Sequence, residues 1–239
     1  MTPDRPRRWT RWLRSVDDQL LVVVDGYAAQ TGAELRRRQI RSAITLAVGA
    51  AGLALSLRMD PDSPWFPLAA LGVAAVWALG AFWSGRLHLG RVQVDEKLER
   101  PIVQPILLGL LLAAVFFVGS RLTFLVPPIA DQIRDVLAFA SSGSMGLLTM
   151  TTLLSGIAEE LFFRGALFAA VPARRAVLIT TVLYVVATVL TGNLMLGFAA
   201  ALLGVVTGLQ RRATGGVLAP ILTHITWSLL MLHVLPLIY

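Results

Sequence analysis

The stretch Ser155-Gly156-Ile157-Ala158-Glu159-Glu160-Leu161-Phe162-Phe163-Arg164-Gly165 places two carboxylates and a guanidinium in a run otherwise apolar enough to cross a bilayer. Each charge at membrane depth costs at least ~2.5–3.5 kcal/mol on insertion scales, so three together imply chemistry, transport or a structural ion pair. Glu160 and Arg164 are spaced i, i+4 with the acid first, the favoured order for a pair on one helix face. Glu159 is turned by about 100° and has no such partner. Glu160 is therefore expected to be half of an internal ion pair, and Glu159 the free carboxylate. One arginine does not neutralise two carboxylates, which weighs against a purely structural cluster. A second titratable group at membrane depth is His224, in Thr223-His224-Ile225-Thr226-Trp227-Ser228. Counted along helices, Glu159 lies ~21 Å from the outer end of its segment and so about 10 Å from the inner face; His224 lies about 12 Å from that same face. Glu159 is expected to face His224 and to act as a general base, at a site opening towards the cytoplasm.

The elements that must hold these groups are membrane helices. The chain has 239 residues, 56% hydrophobic and 15% charged, with a mean hydropathy of +0.72. Soluble domains run at about 45–50% apolar and about 25% charged. The absence of cysteine excludes disulfides and thiolate metal sites. Seven spanning segments are expected: Ser42–Leu57, Trp65–Trp83, Ile102–Ser120, Met145–Phe163 (running on towards Val171), Ala176–Thr191, Leu194–Leu209 and Val217–Ile238. The fold class is thus an all-α polytopic bundle. Leu122–Ala140, with Pro127-Pro128, Asp131, Arg134 and Asp135, reads as a loop with an amphipathic helix, or an eighth, re-entrant element.

Charge placement orients the bundle. With the N-terminus in the cytoplasm, Arg36, Arg37, Arg38, Arg41, Arg86, Arg91, Lys97, Arg100, Arg174, Arg175, Arg211 and Arg212 fall inside, with Arg5, Arg7, Arg8, Arg11 and Arg14 of the tail. Arg58, Arg121 and Arg134 fall outside, beside Asp60, Asp62, Asp131 and Asp135. That is the positive-inside asymmetry. The expected location is a bacterial plasma membrane. Residues 1–41 read as a basic cytoplasmic region, with Asp17 to Asp25 a short interfacial helix or strand. Residues 42–140 read as supporting spans and 141–239 as the core. The tail is too long and lacks the cleavage site of a removable signal peptide. Its arginines anchor against anionic lipid and do not call for nucleic acid.

Glu159-Glu160-Leu161-Phe162-Phe163-Arg164-Gly165 resembles the E-E-x-x-x-R motif of the CPBP family, which joins CAAX prenyl proteases with bacteriocin-processing and Abi proteins. His224 to Ser228 resembles its last motif, H-x-x-x-N, and Tyr184-Val185-Val186-Ala187-Thr188 lies where the family has F-x-x-x-H. The resemblance covers Met145 to Leu230. It implies an intramembrane endopeptidase in which Glu159 activates water, Glu160 and Arg164 orient the site, and His224 donates to an oxyanion or ligates a metal. Thr188 stands in place of the middle histidine and Ser228 in place of the asparagine. Tyr184 lies nearer the depth of His224 and is a candidate replacement donor. A divalent metal such as zinc is a cofactor the resemblance allows, although Glu159, Glu160 and His224 make a thin ligand set. The expected partner is a peptide or protein substrate near the membrane. Two competing readings are a proteolytically inactive membrane scaffold or immunity-type protein, and a transporter using a glutamate as proton relay. A short chain without internal repeats weighs against the transporter.

Overall fold

Thr31-Gly32-Ala33-Glu34 is a capping box: the Glu34 N–H donates to Thr31 Oγ1 at 3.3 Å, and the Thr31 N–H donates to Glu34 Oε2 at 2.8 Å. It starts α1 (Gly32–Ser56) ten residues before the expected Ser42, so that Arg36, Arg37, Arg38 and Arg41 ride on the helix itself. The computed structural model describes residues 30–60, 62–94, 97–123, 125–141 and 144–239. The reading of Asp17 to Asp25 as an interfacial element, and the tail arginines, lie outside these residues.

After α1 the chain forms α2 (Phe66–Ser84), a short antiparallel hairpin of β1 (Val92–Val94) and β2 (Lys97–Glu99), α3 (Val103–Thr123), and α4 (Pro127–Ser141). α5 (Met145–Glu160), α6 (Ala176–Val189), α7 (Leu194–Thr214), α8 (Leu218–His233) and the single turn α9 (Leu235–Ile238) complete it. The hairpin was not expected; it occupies the basic loop between the second and third spans. Leu122–Ala140 does hold an amphipathic helix, α4, packed across the end of the bundle. Gln132 fixes it there: Oε1 accepts from the N–H groups of Leu194 and Met195 at 2.8 and 3.2 Å, at the open start of α7.

The result is an all-α helical membrane bundle. Among the described residues, four helices (α1, α2, α3 and α7) are long and apolar enough to cross a bilayer. The other three expected spans are shorter as α-helices: α5 and α8 have 16 residues each and α6 has 14. α5 keeps its direction beyond Glu160, passing into a π-helix over Leu161–Leu167 and a 3₁₀ turn over Phe168–Ala170. Helices α6 and α7 approach closely through glycine: a Cβ on Gly204 would press on Thr181, and one on Gly208 on Val177. Small residues are what permit such contact between membrane helices.

The helices alternate in direction, so the loops sort into two ends. One carries the starts of α1, α3, α6 and α8 and most of the arginines; the other carries α4, the α1–α2 turn and α9.

Candidate active site

Glu160 is the buried centre of the constellation. It has no exposed surface, and its Oε1 accepts from Arg164 Nη1 at 3.0 Å and meets His224 Nδ1 at 2.8 Å. The carboxylate is acceptor-only when ionised, which assigns the proton to His224 Nδ1 and makes that nitrogen the donor. Arg164 is the pairing that the i, i+4 spacing predicts. His224 is a correction: its hydrogen bond goes to Glu160 and not to Glu159. The cause is rotational. Glu160 points to the side where α8 crosses α5, and the imidazole packs over Gly156, one turn earlier.

Glu159 is held from a third element. Tyr184, on α6, donates its hydroxyl to Glu159 Oε2 at 2.6 Å. The Tyr184 ring also lies under the Arg164 guanidinium at 4.8 Å and against Phe163 at 4.7 Å. Charge, ring and carboxylate thus form one stack across α5 and α6. Among the described residues Glu159 Oε1 accepts no hydrogen bond, and the side chain is half-buried where Glu160 is sealed.

Glu159, His224 and Ser228 line one cavity of about 330 Å³. Trp77, Thr151, Thr152, Ser155 and Gly156 share its walls, and among the described residues Glu159 is its one carboxylate. Ser228 therefore stands in the wall one turn along α8 from His224. Thr188 does not: it is buried and spends its hydroxyl on the Tyr184 carbonyl at 2.8 Å, so it does not replace a histidine at the site. Tyr184 takes up the position facing the glutamate.

The cavity extends away from the arginine-rich loops. Its walls run from Trp77, Glu159 and His224 towards Leu57, Phe66, Leu148 and Leu235, which lie at the end opposite the arginine-rich loops.

The donor set does not fit a resident zinc ion. Among the described residues no three His, Cys, Asp or Glu side chains converge as a metal group. A catalytic zinc takes about three protein ligands, and here one candidate oxygen is already shared by a guanidinium and an imidazole.

The π-helix begins directly after Glu160, with the Phe168 N–H reaching back to the Phe163 carbonyl. Such segments recur at functional sites because they re-aim side chains within a helix. Nothing in the apolar pattern of residues 161–167 announces it.

No curated protein and no solved structure matches the chain. Residues 141–230, which hold every member of this constellation, match the family model described as Type II CAAX prenyl endopeptidase Rce1-like, and so bear out the resemblance carried by the motifs.

Proposed function

We propose that the chain is an intramembrane endopeptidase that hydrolyses a peptide bond with water activated by Glu159. The observation that carries this reading is the division of labour between adjacent carboxylates. Glu160 is sealed, with Oε1 held by both Arg164 and His224, whereas Glu159 is anchored through Oε2 alone and lines the cavity. A general base needs that combination of fixed orientation and access to the proton it removes.

In the reaction, water at the cavity floor gives a proton to Glu159 as its oxygen attacks the peptide carbonyl. The Tyr184 hydroxyl holds the carboxylate in register. Glu160 accepts from His224 Nδ1–H and so orients the imidazole; in its doubly protonated form the ring also donates from Nε2–H to the developing oxyanion. Glu159 then returns its proton to the departing amine. Preorganised donors of this kind each contribute about 10²–10³ in rate. No step is assigned to a metal, because the donor set does not fit one.

The test is hydrolysis of apolar peptides by the purified protein in liposomes, followed by mass spectrometry. Wild-type protein cuts and Glu159→Gln does not. The competing scaffold reading draws support from the missing middle histidine. It predicts no cleavage by either protein and a cellular role that survives Glu159→Gln.

A further inference from the structure

Two arginines adjoin near the end of α7, and only Arg212 is exposed as a loop arginine would be. Arg211 is 2% exposed, and Gln210 before it 1%. A guanidinium so deeply covered is costly unless its donors are used. Arg211 Nε donates to the backbone carbonyl of Arg164, and its Cζ lies over the Phe168 ring at 5.1 Å.

The carbonyl that Arg211 takes stands at a change of helical register. In the π-helix over Leu161–Leu167 each N–H closes on the carbonyl five residues back, and the run ends with the Phe168 N–H on Phe163. From Phe168 the chain tightens into a 3₁₀ turn, where N–H groups reach back three residues. The Arg164 carbonyl is the next after Phe163. Its α-helical donor would be the Phe168 N–H, which is already spent, and a side chain of α7 supplies a donor instead. Collapse of the π-helix to α would turn the residues beyond it by about 100° against Glu160. A donor fixed on this carbonyl from a neighbouring helix resists that turn.

The same face of α7 receives the other end of Arg164. Gly204 lies seven residues before Arg211, about two turns along one face. A Cβ there would stand 3.4 Å from Arg164 Nη2. The guanidinium so placed bonds Glu160 Oε1 at 3.0 Å and covers the ring of Tyr184, whose hydroxyl holds Glu159. Gln210 makes α7 a fixed base for this. Its Nε2 donates to Thr223 Oγ1 at 2.8 Å, and that hydroxyl donates to the Pro105 carbonyl of α3 at 2.8 Å.

We infer that Arg211 is a positioning residue of the active site, a role that rests on Glu159 being the general base. It pins the Arg164 carbonyl where the π-helix ends, and so aims the guanidinium that holds Glu160 and backs Tyr184. Arg211 does not line the Glu159 cavity and acts on it only through Arg164.

The variants Arg211→Met, Arg211→Gln and Arg211→Lys separate the bond from the charge. Glutamine has an N–H donor on the atom after Cδ, where arginine has Nε; methionine and lysine have carbon at that place, and lysine keeps the charge one atom further out. Each full-length variant is assayed for peptide turnover in liposomes, and for melting and hydrogen exchange in detergent. Arg211→Met and Arg211→Lys are expected to lose kcat about 10²-fold with KM unchanged, and Arg211→Gln to recover most of that loss. Amides of residues 164–170 are expected to exchange faster in Arg211→Met and Arg211→Lys than in Arg211→Gln. A kcat per folded molecule equal to wild type in Arg211→Met overturns the assignment. So does Arg211→Lys outperforming Arg211→Gln, or exchange over residues 164–170 that matches wild type in Arg211→Met. Should Arg211→Met not fold, the comparison of Arg211→Lys with Arg211→Gln decides alone, because a residue needed only for its charge or packing reverses their order. Hydrogen exchange needs no turnover, so wild-type protein that cleaves nothing defeats the Glu159 reading while the exchange over residues 164–170 still tests Arg211.

Discussion

Replacing Tyr184 by phenylalanine removes one atom from the site and little else. The ring keeps its place against Phe163 at 4.7 Å and under the Arg164 guanidinium at 4.8 Å, so packing and the buried ion pair stay intact. What is lost is the 2.6 Å hydrogen bond to Glu159 Oε2. Hydrogen bonds to charged groups contribute about 1.5–3 kcal/mol. If that bond orients the base in the transition state, Tyr184→Phe lowers peptide cleavage roughly ten- to hundred-fold, at about 1.4 kcal/mol per decade. The assay is turnover of an apolar peptide by protein in liposomes, with the melting temperature in detergent as a control for folding. The double variant with Glu159→Gln supplies the stricter test, because a hydroxyl acting only through Glu159 has nothing left to orient. Unchanged turnover in Tyr184→Phe, or a double variant that loses the product of both single effects, refutes the reasoning.

Glu160→Ala leaves the Arg164 guanidinium buried without its carboxylate and frees His224. Breaking a buried pair by removing one partner costs about 3–5 kcal/mol, so thermal unfolding in detergent shifts sharply downward, while Glu159→Gln melts near wild type. Thr188→Val keeps shape and removes a hydroxyl bonded only to its own helix; cleavage by this variant equals wild type, and a large loss would restore Thr188 to the site. Gly216→Ala drives a Cβ into the Gly90 backbone. Overpacking of this sort costs about 1–3 kcal/mol, visible as a lowered melting temperature. Gln132→Ala uncaps the start of α7 and loosens α4; hydrogen exchange rises in residues 127–141 and 194–196, with the bundle's other amides unchanged.

Much of the architecture was legible in the apolar runs, because a bilayer forces each span to be long and uncharged. The starts were less legible. The capping box at Thr31 and Glu34 sits among arginines that read as a cytoplasmic tail, and it carries α1 ten residues further than hydropathy allows. The hairpin over Val92–Glu99 has three-residue strands, too short for an alternation signal. At the site, the i, i+4 rule predicts the Glu160–Arg164 pair because both residues share one helix. The partner of His224 was a different matter. It depends on how α8 is rotated against α5, and helical wheels of single segments do not contain that angle. Tyr184 stood out by depth alone. The direction of the cavity was not legible from depth, because counting residues locates a side chain along the membrane normal and says nothing of which way a cavity runs from it. The chain over residues 83–91 covers the arginine-rich end through hydrogen bonds to its backbone carbonyls, which leave no mark in composition.

The claim at the centre of this account is that Glu159, and not its neighbour, removes the proton from water. Turnover of a membrane-embedded peptide by Glu159→Gln, measured on protein shown by its melting temperature to be folded, tests it most directly. General-base catalysis contributes typically 10²–10⁴-fold, and the account predicts a loss of at least that size with stability preserved. Cleavage at the wild-type rate by folded Glu159→Gln contradicts it.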